Sequence, residues 1–311
     1  MATSVPTRSL LAVRTSSSPG VLAAAAAVAT IFSGTPFIIA GAIDDYGISR
    51  GSAALLSTLQ VGAFMLANLL AGRRMHPSVR LIRVSLAALT AINLISAVAP
   101  TFTILAASRF SAGIPMGLIT WLSWSTSASD GRRRGEVASM GPLAAAAATP
   151  IVGLASSLTG LQGMYLLMAG VTALCLLVPI KVDSKTERPR GQRNPIGAPI
   201  VKVVLFALFL STGAGSAVFV FVRVIADDRL GLSTFATSIA LSINALSGIP
   251  TARFPGRRRV PGLWLVLIGA CALAVSQVQS AVVFYLSLAL WGMAFWSFVP
   301  EAFALLAERS V

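Results

Sequence analysis

The sequence predicts an all-α membrane protein of about ten transmembrane helices, six in a first bundle and four in a second. Three observations predict it. Charged residues are only 11% of the 311-residue chain, hydrophobic residues are 56%, and mean hydropathy is +0.83; a soluble domain carries roughly 25% charge. Ten apolar runs approach or exceed the roughly 20 residues that a helix needs to cross about 30 Å of hydrocarbon. The chain also repeats itself. Asp44-Asp45-Tyr46-Gly47-Ile48-Ser49 returns 183 residues later as Asp227-Asp228-Arg229-Leu230-Gly231-Leu232-Ser233, and each copy leads through an apolar run into a Gly-Arg cluster, Gly72-Arg73-Arg74 and Gly256-Arg257-Arg258-Arg259. A hydrophobic unit duplicated in parallel is a construction typical of transporters.

The runs are residues 21–42, 52–71, 81–100, 102–124, 138–160, 162–181, 199–222, 233–252, 261–278 and 281–306. The first follows Arg8 and Arg14 and is rich in alanine, as a secretory signal would be. Its length and the nine runs behind it mark it as a retained helix. Lys and Arg gather on the cytoplasmic side of short loops. With the amino terminus inside, 20 of the 24 basic residues fall on inner segments, against Arg50, Arg223 and Arg229 outside and Arg109 within a span. Both termini of this chain are thereby expected in the cytoplasm, both Asp-Asp phrases outside, and the whole in a cell inner (plasma) membrane. The polar stretch from Lys181 to Gly197 holds Pro189, Pro195 and mixed charge, the composition of a linker. The expected division is therefore a six-helix bundle over 1–181, a cytoplasmic linker over 182–198 and a four-helix bundle over 199–311. The duplication offset matches residue 311 to about residue 128, so the second unit is expected to lack counterparts of helices five and six.

Several functions are excluded. The net charge of +14 would suggest nucleic acid if the arginines shared a solvated face, but they lie in loops between apolar runs. Cys175 and Cys271 sit inside apolar runs and His76 is the one histidine, which leaves no metal cluster, disulfide framework or Cys/His pair. There is no Gly-x4-Gly-Lys-Ser/Thr phosphate loop and no convergent nucleophile, base and metal set. No cofactor is expected, and an enzyme is not.

Three motifs sharpen this. The loop after the second run reads Gly72-Arg73-Arg74-Met75-His76-Pro77-Ser78-Val79-Arg80. The fourth run contains Arg109, Gly113 and Gly117, four residues apart, and the fifth contains Thr149-Pro150-Ile151-Val152-Gly153-Leu154. With six helices, a long inner loop and a second set of helices, the chain resembles the major facilitator superfamily from about residue 21 to its end. That family's loop motif is Gly-x-Leu-Ala-Asp-Arg-x-Gly-Arg-Arg; Gly72 and Arg80 match it, while His76 and Val79 replace the aspartate and the second glycine. Arg109, Gly113 and Gly117 match its helix-four pattern Arg-x3-Gly-x3-Gly. Pro150 and Gly153 keep part of the helix-five pattern of drug exporters, and the stretch from Trp291 to Pro300 resembles the sugar- and drug-efflux branch.

The candidate site residues follow from cost. An arginine some eight residues into a span is expensive in lipid, by at least about 2.5 kcal/mol, so Arg109 needs either a structural partner, such as Asp44 or Asp45, or a role in proton coupling or anion binding. Gln60, Asn68, Asn93, Asn244 and Gln277 are polar residues within spans that interhelical hydrogen bonds or a cavity can satisfy. Trp291 and Trp296 lie mid-helix as possible substrate contacts, whereas Trp121 and Trp124 suit an interfacial belt. Glu301 falls near an inner surface as a snorkelling or proton-relay residue. Asp44, Asp45 and their repeats read as turns, with Ser49 and Ser233 as helix caps, or as proton sites near the mouth. At the repeat offset Arg109 maps to Gly292, so no basic counterpart is expected. The function implied is secondary transport of a small organic solute coupled to protons, with export ahead of uptake. The alternative from another class is a truncated membrane protein that does not transport. The solute and the oligomeric state stay open.

Overall fold

The computed structural model describes residues 15–127, 130–182, 215–253 and 261–308 and a few positions between 202 and 213, with side chains described as far as 250 and from 262 to 298. Most of the linker and part of the seventh run lie outside the described residues, as do the side chain of Glu301 and the Arg257 cluster. Every regular element among the described residues is an α-helix. That is the outcome lipid enforces, because a helix satisfies its backbone polar groups internally.

In chain order the helices are α1 (Pro19–Ser33), α2 (Thr35–Tyr46), α3 (Arg50–Arg74), α4 (Val79–Ala97), α5 (Phe102–Ser127), α6 (Gly131–Leu177), α7 (Val222–Leu230), α8 (Thr234–Arg253), α9 (Pro261–Ser276) and α10 (Ala281–Glu308). Five are long and apolar enough to span a membrane, and α1 with α2 makes a sixth span bent by 44°. The bend divides the first expected run at Gly34, where Pro36 has no N–H to continue the ladder. A Cβ on Gly34 would run into Met168, so the kink also lets α6 approach.

Helix α6 covers two expected runs. At 1.5 Å per residue its 47 residues would extend about 70 Å, twice what a bilayer needs. The chain instead reverses at Gly160, whose φ of 63° and ψ of −156° suit only glycine. The amide of Ser16 bonds the carboxylate of Glu136 and that of Gly20 the carbonyl of Pro179, which places both ends of α6 beside the start of α1.

The two Asp-Asp phrases fold alike. Gly47 and Gly231, at φ 59° and 61°, end α2 and α7 in the left-handed conformation. Two residues later Ser49 accepts from the Ser52 amide at 3.1 Å, and Ser233 from the Ala236 amide at 3.2 Å. Each phrase is a helix stop followed by a helix start. We call this end of the bundle the aspartate end and the opposite one the arginine end.

Helices α1 to α6 pack as one group, with α3 along α5 and with α4 and α1 along α6; α8, α9 and α10 pack as another. The groups meet chiefly where the first limb of α6 lies on α8, and again where α2 meets α7. The α6 stripe is small: Gly153 has room for nothing beyond Ser238, and the Ser242 hydroxyl donates to the carbonyl of Ala146 at 2.6 Å. Small residues let helix backbones approach closely where lipid supplies no hydrophobic drive.

Candidate functional site

Arg109 is fully buried inside the first group. One guanidinium nitrogen, Nη2, donates to Asn93 Oδ1 at 3.1 Å and to the Ser96 hydroxyl, and the guanidinium carbon lies 4.5 Å above the centre of the Tyr165 ring. Cation–π contact of this kind gains strength when desolvated. Ser96 and Ser108 share a hydrogen bond at 2.8 Å, extending the polar layer along the α4–α5 seam. The expected pairing with Asp44 or Asp45 is not formed. Arg109 points at α4 and the second limb of α6, whereas the two aspartates line a recess between the helix groups. No carboxylate among the described residues pairs with it.

That recess, of about 110 Å³, lies at the aspartate end and is lined by Asp44, Asp45 and Ser156 from one group and by Arg223 and Thr234 from the other. Arg223 is held in place by Asp227 at 3.2 Å and donates to Thr234 Oγ1 at 3.1 Å. Beside it Arg50 of α3 reaches Asp228 of α7 at 2.6 Å, an ion pair across the two groups.

The remaining described candidates lie outside that recess. Gln60 is buried on α3, and a Cβ on Gly113 of α5 would fall on the Gln60 carbonyl, as one on Gly117 would fall on that of Phe64. Asn244 donates to the carbonyl of Leu288 at 2.7 Å. Trp291 is buried with its ring edge-on to Phe219, centroids 6.2 Å apart. Trp296 lies between Gly248 of its own group and Gly141 of the other, its Cη2 2.6 Å from where a Gly141 Cβ would stand. Pro150 is half-buried within α6, one turn before Gly153. Gly72 has only ordinary contact with Trp121, and Arg80 is exposed; neither is forced by packing here.

One register expectation is corrected. A Cβ on Gly113 would meet Gln60 and Ala63, and one on Gly292 would meet Asn244 and Ser247; the second pair lies 184 residues beyond the first. Gly292 therefore occupies the place of Gly113, and the counterpart of Arg109 one turn earlier is Leu288, which is fully buried. The linear offset misplaced it because Gly292 follows Ser247 by 45 residues, whereas Gly113 follows Ala63 by 50. The absence of a basic counterpart stands. Tyr165 was missed altogether. It is one of only three tyrosines, and the need of a buried arginine for a partner was the signal that could have drawn attention to it.

A multi-helix bundle in two groups, meeting along a small-residue seam with a charged recess at one end, has the architecture of a membrane carrier. The chain belongs to the Major Facilitator Superfamily, matched over residues 21–311. Among solved structures it is similar to a mutant of the nucleoside transporter NupG (15% identity, TM-score 0.67, covering 94% of this chain and 83% of that one). It is also similar to a bacterial homologue of the human lysosomal transporter Spinster in an inward-facing, occupied conformation (14% identity, TM-score 0.64, 93% and 77%). At such identities the likeness is one of fold. No curated protein sequence matches the chain significantly.

Proposed function

We propose that this secondary transporter exchanges protons for a small organic solute, exporting it by alternating access. Its moving parts are bundles 1–181 and 199–311, joined by a cytoplasmic linker at 182–198, in a plasma membrane with the aspartate end outward. Export rests on the likeness of Pro150, Gly153 and the Trp291 stretch to efflux proteins. The observation that carries proton coupling is Asp45, a carboxyl that lines the recess at the junction of the two groups together with Arg223. Gaining a proton there removes a negative charge facing Arg223, beside the Arg50–Asp228 bridge. A charge change at a seam biases the equilibrium between states in which that seam is closed and open. Arg109 supplies a fixed positive charge inside the first bundle.

The test is the full chain in lipid vesicles holding a pH-sensitive dye, under an imposed pH gradient, challenged with a panel of small organic solutes. A solute that is carried should accelerate collapse of the gradient, and Asp45→Asn should remove that acceleration while leaving insertion intact. Solute movement indifferent to the gradient would refute proton coupling, and an Arg109→Ala protein with unchanged transport would remove Arg109 from the machinery.

A further inference from the structure

The polar layer around Arg109 is short of negative charge. The guanidinium is buried in one helix group, where lipid and apolar side chains screen it poorly, and an arginine keeps its proton in such a place. Two acceptors are in reach, Asn93 Oδ1 and the Ser96 hydroxyl, and both take the same nitrogen, Nη2. Arg109 Nε, Arg109 Nη1, Asn93 Nδ2 and the Tyr165 hydroxyl, all on fully buried residues, have no hydrogen-bond partner among the described residues. Three of these four atoms can only donate.

The described carboxylates are committed or distant: Asp44 and Asp45 line the recess, Asp130 and Glu136 sit at the arginine end, and Asp227 and Asp228 pair with Arg223 and Arg50. A buried guanidinium with two unpartnered nitrogens, touched by two residues that each carry a further unpartnered donor, lacks a counter-charge among the described residues.

We propose that a small inorganic anion of the chloride class resides beside Arg109 on one edge of the guanidinium, taking either the Nε or the Nη1 N–H, which point to opposite edges, with Asn93 Nδ2 or the Tyr165 hydroxyl as its further donor. Water would satisfy the hydrogen bonds and leave the charge uncompensated; an anion does both. The ring of Tyr165 closes one face of the guanidinium, and the layer faces α4 and α6 rather than the recess between groups. The site therefore takes an ion of one or a few atoms, not an organic solute. This inference is independent of the direction and coupling of transport.

The test uses the full chain purified in detergent and lipid, unfolded by heat in chloride and in gluconate at equal ionic strength. Chloride should raise the midpoint in a saturable way, and equal midpoints in the two salts would overturn the proposal. Asn93→Asp places a permanent carboxylate beside the guanidinium, so it should be as stable in gluconate as in chloride; a variant that keeps the wild-type chloride response would overturn the proposal as well. With bromide replacing chloride in a crystal, an anomalous peak belongs beside the Arg109 guanidinium, and its absence from ordered density there would refute the site.

Discussion

Gly113→Ala tests how the first helix group is held together. On α5, a Cβ at this position would lie 2.8 Å from the Ala63 Cβ and 2.9 Å from the Phe64 amide nitrogen, and nearer still to the Gln60 carbonyl. Carbon atoms in good contact stand about 3.5–4.0 Å apart, so α5 must retreat from α3 by roughly 0.8 Å or more along the seam. The obstacles are mostly backbone of a continuous helix and cannot swing aside, which puts the cost at the upper end of overpacking, about 3 kcal/mol. Alanine returns about 1 kcal/mol through helix propensity. A net loss of about 2 kcal/mol is expected. The assay is thermal or denaturant unfolding in detergent and lipid, with Gly62→Ala as the control. Gly62 lies on α3 with nothing within 4 Å of a Cβ, so its substitution should be neutral or mildly stabilising. If Gly113→Ala proves as stable as Gly62→Ala, the close helix approach is not what that glycine provides.

Two further outcomes are expected. Gly248→Ala and Gly141→Ala each force the Trp296 indole to move, since Trp296 atoms stand 3.0 Å or less from either new Cβ. Both should destabilise the wild type yet cost nothing further on a Trp296→Ala background, a coupling of about 1–2 kcal/mol in a double-mutant cycle; additive losses would show that the indole is not the obstacle. Glu136 clamps the Ser16 and Ser17 amides at 2.8 Å each. Partial burial works to raise its pKa, but those hydrogen bonds and Arg132 outweigh it and hold the carboxyl below the ordinary glutamate value. Its contribution is thus complete above the ordinary glutamate pKa and is lost as pH falls through the lower folded value. Glu136→Gln should cost about 1–2 kcal/mol at neutral pH and flatten that acid limb of the stability curve; an unchanged acid limb would show that another group produces it.

Much of the fold was legible because lipid leaves few choices. Charge poverty, runs of span length and a repeated phrase are one-dimensional properties, and Gly47 with Ser49 and Gly231 with Ser233 carry their conformations locally. What the sequence hid depends on contact. Pro36 signals a break in the 21–42 run, but that the bend falls at Gly34 shows only when Met168 is seen to occupy the space a side chain would need. Arg109 announced itself by its cost, yet its partners were open: Asp44 and Asp45 were the nearest carboxylates in the reading by charge, whereas the helix faces direct it to Asn93, Ser96 and Tyr165. Asn244 and Trp291 were read as possible substrate contacts because polarity and aromaticity inside a span are ambiguous. Geometry shows that the Asn244 amide nitrogen donates to the Leu288 carbonyl and that the Trp291 ring packs on Phe219.

The corrected register also exposes how the duplicated unit diverged. In the first group Gly117 is the small partner, pressed against the Phe64 backbone; at the matching pair in the second group the glycine is Gly248 and the large residue is Trp296. Volume has moved from one helix of the pair to the other. The indole that resulted overhangs the seam and reaches Gly141 of the opposite group, which Gly117 cannot do. About two turns away the first group holds buried Arg109 where the second holds buried Leu288. Equivalent positions have thus become a charge layer on one side and a mechanical contact on the other. Two identical halves would respond identically to a proton or an ion; under the proposed proton coupling, separating charge from contact gives such a signal one half in which to act and another against which to move.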